Sequence, residues 1–186
     1  MDFEQAVFSR RSIRSFTDQD VTKEQVDKLI AYGHCAPSGG NLKEWRFVVV
    51  RSEEGKRKLT EATYSRNRET NPPQQWLQIA PVIIAVAADH SCVMKRYGRK
   101  GLDELVYLDC ASAVQNMLLG AVHLGLAGCF ISGFREHEMS EALGLPETMQ
   151  AVALLPIGYA AAPGVLRPTV PPEEVTSYET YGQKEP

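Results

Sequence analysis

Between Asp103 and Leu124 the sequence carries its longest helical pattern, with Leu105, Leu108, Ala111, Ser112, Gln115, Leu118, Leu119 and Val122 recurring at the 3.6-residue period. Few positions in it are charged, and a helix that is apolar on most of its circumference has to be covered on most of it. Ala111, Ser112, Ala113, Gly120 and Ala121 also let neighbouring helices approach closely. The pattern predicts a central helix packed on a sheet, with a face available to a partner chain.

The sheet has four candidate strands. Trp45 to Val50 contains Val48, Val49 and Val50 without interruption, which predicts a strand buried on both faces. Val82 to Ala88 is an apolar run bounded by Pro81 and Asp89. Gly125-Leu126-Ala127-Gly128 ends the long helix through a left-handed cap and releases a third strand, Cys129-Phe130-Ile131. Ala151 to Ile157 is the fourth.

Around them, Phe3, Ala6 and Val7 define a first helix over Met1 to Ser9, and Thr22 opens a second one that carries Val26, Leu29, Ile30 and Tyr32 on one side. A polar helix runs from Ser52 to about Tyr64, and His137 to Leu143 is a short one stopped by Gly144-Leu145-Pro146. Tyr97 to Gly101 reads as a loop, Arg66 to Gln75 as a mobile segment, and Pro163, Pro168, Pro171 and Pro172 as stiffeners of an extended tail. The resulting order, α-α-β-α-β-α-β-α-β, implies an α+β or three-layer architecture in one domain over 1–186. It excludes a Rossmann domain, because Trp45 to Val50 runs into Arg51-Ser52-Glu53-Glu54-Gly55 and not into Gly-x-Gly-x-x-Gly.

Twenty Lys plus Arg stand against 23 Asp plus Glu, a net charge of -3 without long blocks of either sign. Neither a nucleic-acid surface nor a membrane surface is indicated. The start MDFEQAVFSRR lacks the apolar core of a signal peptide, and no apolar run approaches the roughly 20 residues of a membrane span, so a soluble cytoplasmic protein is expected. Cys35, Cys92, Cys110 and Cys129 are too dispersed for a zinc or dithiol site and read as free thiols, mostly buried. His34, His90, His123 and His137 show no metal-ligand spacing. Ser132 lies in Ile-Ser-Gly, not in a nucleophile elbow. Asp109 and Gln115 read as buried polar groups satisfied by neighbours.

Three segments carry chemistry. Ser9-Arg10-Arg11-Ser12-Ile13-Arg14-Ser15 puts three guanidinium groups and three hydroxyls directly after a helix. This set suits a phosphate through bidentate and adjustable donors, and equally suits a solvated helix end where Arg complements the dipole. Pro37-Ser38-Gly39-Gly40-Asn41 lets a ligand approach the backbone, with Asn41 able to donate and accept, or is simply a polar turn. Ile131-Ser132-Gly133 is a strand running into a glycine turn whose amides can face a bound ring or merely turn the chain. Arg167 in the stiff tail either reaches back to an anion held by Arg10 and Ser12 or is a lone surface arginine.

In their order, these segments resemble the nitroreductase family of FMN-dependent oxidoreductases. An Arg-Arg-Ser-x-Arg segment follows the first helix, Ala36 to Asn41 precedes a Trp-x-Phe strand, Ala80-Pro81-Val82-Ile83-Ile84 follows, Asp109 to Gly128 matches the central helix and its exit, and Leu155-Pro156-Ile157-Gly158-Tyr159 matches the last core strand. The resemblance spans Phe3 to about Val175. It implies a three-layer α-β-α fold with a mixed, mainly antiparallel sheet, and an intertwined homodimer with FMN at the interface. Arg10, Arg11, Ser12 and Arg14 would hold the phosphate, ribityl chain and pyrimidine edge, with Arg167 completing the phosphate site. Pro37, Ser38, Gly39 and Asn41 would reach the flavin of the other subunit, Ile131, Ser132 and Gly133 would lie near N5, and Gln75 would approach the polar edge. The implied reaction carries reducing equivalents from NADH or NADPH through N5 to a nitroaromatic, a quinone or a free flavin by ping-pong kinetics, with no catalytic side chain required. A dehalogenase, a flavin-cleaving enzyme and a flavin store or sensor are the alternatives. One departure stands out: where members commonly have Gln-Pro before the Trp, this chain has Lys43-Glu44, a charged pair expected at the site mouth.

Overall fold

The computed structural model describes residues 2–65, 72–166 and 168–184. Most of the Arg66 to Gln75 segment therefore lies outside the described residues, as does Arg167. Four strands, β1 (Trp45–Val50), β2 (Val82–Asp89), β3 (Ala127–Gly128) and β4 (Met149–Gly158), form one sheet in the order β1-β2-β4-β3, with every pairing antiparallel. A parallel bridge from Ser12 to Gly128 joins the far edge and makes the pattern mixed.

The alternation of β2 sorts the molecule into three layers. Val82, Ile84, Val86 and Ala88 face one core with Val26 and Leu29 of α2 (Lys23–His34) and Val106, Ala113, Val114 and Met117 of α5 (Val106–His123). Ile83 and Ala85 face the other, with Leu59 of α3 (Glu53–Glu61), Leu77, Ile131, Phe134 and Met139 of α6 (Glu136–Leu143). The small residues of α5 act as expected: a Cβ at Gly120 would enter the Tyr32 ring of α2. Helix α1 (Phe3–Ser9) rests against α5 and begins with a capping box on Asp2 and Gln5.

Several expectations need correction. Strand β1 is at the sheet edge and is not buried on both faces; Arg46 is exposed and Val49 is 39% exposed. The third strand is Ala127–Gly128, not Cys129 to Ile131, although Ile131 re-pairs with Leu154 in the same register. Hydrogen-bonded pairs alternate along an antiparallel ladder, and the pair due between Gly128 and Ile131 would need the N–H of Pro156, which proline lacks. Tyr97 to Gly101 is not a loop: α4 (His90–Lys100) starts on an Asp89 cap, bends at Gly98 (φ 61°) and continues through a π-turn, Gly101–Leu105, into α5. Val93 packs in the core, and Gly101 fits tightly against Val93 and Tyr97, so tertiary packing overrides the local break signal. The tail contains one short helix, α7 (Pro172–Val175). The helical stretch His90–His123 is long and apolar enough to cross a membrane by length and composition, contrary to expectation, but the core contacts of α5 account for that apolarity.

Candidate functional site

Helix α1 ends at Ser9, and Arg10 turns away with an extended backbone (ψ 127°) while its N–H still bonds Ala6. The chain that follows is pinned from inside. Ile13 and Phe16 are buried, the Ile13 N–H donates to Gly128 O at 3.1 Å, and the Thr17 N–H donates to Tyr159 O at 2.9 Å. Ser12 and Arg14 are left facing out, and with Arg10, Arg11, Val165, Leu166 and Thr169 they line a cavity of about 480 Å³.

The two readings of this cluster divide between its members. Arg11 Nη1 donates to Phe8 O at 2.6 Å and to Arg10 O at 2.8 Å, so Arg11 caps the helix end. Arg10 and Arg14 have no acidic partner among the described residues. Arg14 lies over the Trp76 ring instead, 5.9 Å from its centroid. Beneath them is Cys129, whose thiol is raised by burial while Arg14, a Ser12 hydrogen bond and Arg10 pull it back. Unpaired positive charge, a hydroxyl and an open cavity are what a phosphate monoester needs.

Ile131 is buried, Ser132 is exposed, and Gly133 is held by the Tyr64 N–H (2.9 Å to Gly133 O) and Gln74 Nε2 (3.4 Å). The sequence singled out Gln75, but its side chain is exposed and accepts from Gln78 Nε2 at 2.7 Å. Gln74 is the one tied to Gly133, and its N–H also donates to Thr63 Oγ1 at 2.9 Å. Nothing in the sequence distinguishes two adjacent glutamines; beside the pairing of Thr63 with Phe134, Gln74 turns towards Gly133 and Gln75 is left exposed. Arg14, Trp76, Gln74 and Gly133 thus connect the basic cluster to the glycine turn.

The loop from Pro37 is built elsewhere. Pro37 and Asn41 are exposed, Ser38 and Gly39 half-buried. Gly39 N–H donates to Asp109 Oδ2 at 2.7 Å, and the Lys43 N–H donates to Ser38 Oγ at 2.9 Å. Gly40, Asn41 and Lys43 all have left-handed backbone, at φ 57°, 56° and 49°. The last two are strained conformations for residues with side chains, a kind of strain that concentrates at functional sites. Gly40 has no room for a Cβ beside the Arg96 guanidinium and the Tyr97 hydroxyl. Glu44, expected at the site mouth, is instead 1% exposed and faces Asp109.

The loop and the basic cluster sit at opposite ends of β2. Glu44 O accepts the Asp89 N–H at one end, whereas Ser12 reaches Val82 at the other through Gly128 and Ile157. At the rise of a strand this separation is roughly 20 Å. One chain therefore keeps the two clusters apart.

A three-layer chain with this antiparallel sheet, a cavity lined by three arginines and a strained Ser-Gly-Gly-Asn loop corresponds to a defined class. The chain belongs to the nitroreductase family, whose sequence profile matches residues 7–159. It is 32% identical over 158 residues, 82% of each chain, to an Archaeoglobus fulgidus protein provisionally named NADH dehydrogenase/NAD(P)H nitroreductase. It is 30% identical to the FMN reductase [NAD(P)H] of Bacillus subtilis, covering 92% of this chain and 71% of that one. Among solved structures, a nitroreductase family protein of Clostridium difficile 630 is 28% identical with a TM-score of 0.79, covering 97% of this chain and 99% of that one.

Proposed function

We propose that two copies of this chain together hold FMN and pass reducing equivalents from NADH or NADPH to a small oxidised acceptor such as a nitroaromatic or a quinone. The observation that carries this reading is the cavity at the end of α1, where Arg10 and Arg14 stand beside Ser12 without acidic partners among the described residues. The likeness to an FMN reductase supports the choice of phosphate ligand.

When bound, FMN supplies the redox chemistry by taking hydride at N5 and delivering it to the acceptor. The chain's tasks are to bind, orient and shield. Arg10 and Ser12 would hold the phosphate, with Arg11 bracing the end of α1 behind them and Arg167 completing the grip. Arg14, steadied on Trp76, would set positive charge against the pyrimidine edge. Ile131, Ser132 and Gly133 would lie along the ring, with Gln74 holding Gly133 in place. Pro37, Ser38, Gly39 and Asn41 would come from the second copy, as the separation of the half-sites favours. A homodimer is also favoured by apolar side chains left uncovered on one chain, Phe3 and Phe8 of α1 and Leu108 of α5. Donor and acceptor occupy the same face in turn, giving ping-pong kinetics, and no side-chain acid or base is assigned.

Anaerobic titration of the FMN-loaded protein with NADH and then NADPH tests the reading. Bleaching of the flavin absorbance by at least one donor, and its return on adding a quinone, is expected. Flavin that stays oxidised with both donors would leave a binding protein without turnover, and failure to bind FMN would remove the reading altogether.

A further inference from the structure

A buried carboxyl group, Glu44, meets a half-buried one, Asp109, directly behind the Ser38–Asn41 loop. Glu44, at the start of β1, is 1% exposed and lies within hydrogen-bonding reach of Asp109 on α5. Asp109 Oδ2 in turn accepts the Gly39 N–H at 2.7 Å. Glu44 Oε2 is buried with no hydrogen-bond donor among the described residues. An ionised carboxyl buried beside a second carboxyl is costly even with its own backbone amide in reach, whereas a protonated Glu44 becomes a donor with Asp109 as its acceptor.

The surroundings favour that protonated form. On α5, Glu44 faces Asp109 and the Cys110 thiol, itself pushed up to about 12 chiefly by burial; on α4 it faces Cys92, also raised chiefly by burial. The cation nearest in effect is Arg46, on its own strand, and Arg46 is engaged with Asp89 at 3.0 Å. Burial first, then Asp109, pushes the Glu44 carboxyl up to about 7.

We propose that Glu44 is a positioning residue: its protonated carboxyl secures Asp109 against the Gly39 amide and so holds Asn41, exposed and left-handed, in the conformation that meets the flavin. The inference rests on the flavin-binding reading above. Ionising Glu44 places a second negative charge beside half-buried Asp109, drives the pair apart and weakens the Asp109–Gly39 contact, one of those that hold the left-handed backbone at Asn41 and Lys43 in place. Bound flavin, by requiring the ordered loop, raises the Glu44 pKa further; each unit of that rise corresponds to about a tenfold difference in flavin affinity between the two protonation states.

The test is FMN affinity, followed by quenching of flavin fluorescence, from pH 5.5 to 8.5 for wild type, Glu44→Gln and Asp109→Asn. Riboflavin is titrated in parallel, because the FMN phosphate ionises in the same range. Glu44→Gln keeps a neutral donor in place. Wild-type affinity should fall about tenfold above pH 7 relative to Glu44→Gln, with both flavins, while Glu44→Gln stays flat with riboflavin. In Asp109→Asn the fall should be largely lost, because an ionised Glu44 then faces a neutral amide and has no second charge to repel it. Parallel wild-type and Glu44→Gln curves would overturn this inference and leave the flavoprotein reading intact. No FMN binding by any of the three at any pH would overturn both.

Discussion

The guanidinium of Arg14 lies 5.9 Å from the centroid of the Trp76 ring, so a residue near the N-terminus is held in place by the segment that also supplies Gln74. An exposed cation–π contact contributes about 0.5–1 kcal/mol. Trp76→Ala should therefore weaken FMN binding by roughly two- to fivefold, as measured by fluorescence titration, and Trp76→Phe should recover most of it. An unchanged affinity in Trp76→Ala would separate Arg14 from the flavin.

The three N-terminal arginines should not behave alike. Arg10→Ala with Ser12→Ala removes charge-assisted contacts of about 1.5–3 kcal/mol, which predicts a loss of FMN affinity of roughly ten- to hundredfold with little change for riboflavin, which has no phosphate. Arg11 is spent on the Phe8 and Arg10 carbonyls, so Arg11→Ala should cost helix stability more than flavin affinity. Comparing the two flavins by calorimetry distinguishes these outcomes.

Gly120 meets the Tyr32 ring with no space for a methyl group. Gly120→Ala should overpack the α2–α5 contact at a cost of about 1–3 kcal/mol. For a chain of this length that lowers Tm by roughly 2–10 °C, read from thermal unfolding by circular dichroism. A second change, Tyr32→Phe, should not rescue it, because the clash is with ring carbons.

Glu44 also makes the stability of the flavin-free protein depend on pH. The folded chain keeps the Glu44 proton to about 7, against an ordinary glutamate value of 4.5, so folding binds a proton. Its stabilising contribution is complete below 4.5 and is lost as pH rises through about 7. The difference in Tm between wild type and Glu44→Gln should thus shift against wild type between pH 5 and 8. A constant difference over that range would place the Glu44 titration outside the window.

Much of the scaffold could be read from local pattern. Val82 to Ala88 is a strand because seven apolar residues between Pro81 and Asp89 fit only a buried one, and the structure adds a single residue to it. The early end of β3 could not be read that way, since its cause is a missing N–H on Pro156 of another strand. Helix α4 was hidden by Gly98 and Gly101, which look like breaks until Val93 and Tyr97 are packed on Gly101. The site shows the same division. Arg10, Ser12 and Arg14 form a cluster in the sequence, whereas the role of Asp109 depends on an amide 70 positions away, Gly39. Glu44 reads as a surface charge because nothing local announces that it is buried against Asp109.

The placement of the basic cluster and the Ser38–Asn41 loop at opposite ends of β2 carries a consequence for cofactor retention under the proposed shared site. A flavin held jointly by two chains would be lost as those chains come apart, so apparent affinity would become a function of protein concentration. Dilution below the dimer dissociation constant should release FMN and restore its fluorescence, and added apoprotein should recapture it. On that arrangement the sheet would make cofactor occupancy a readout of assembly.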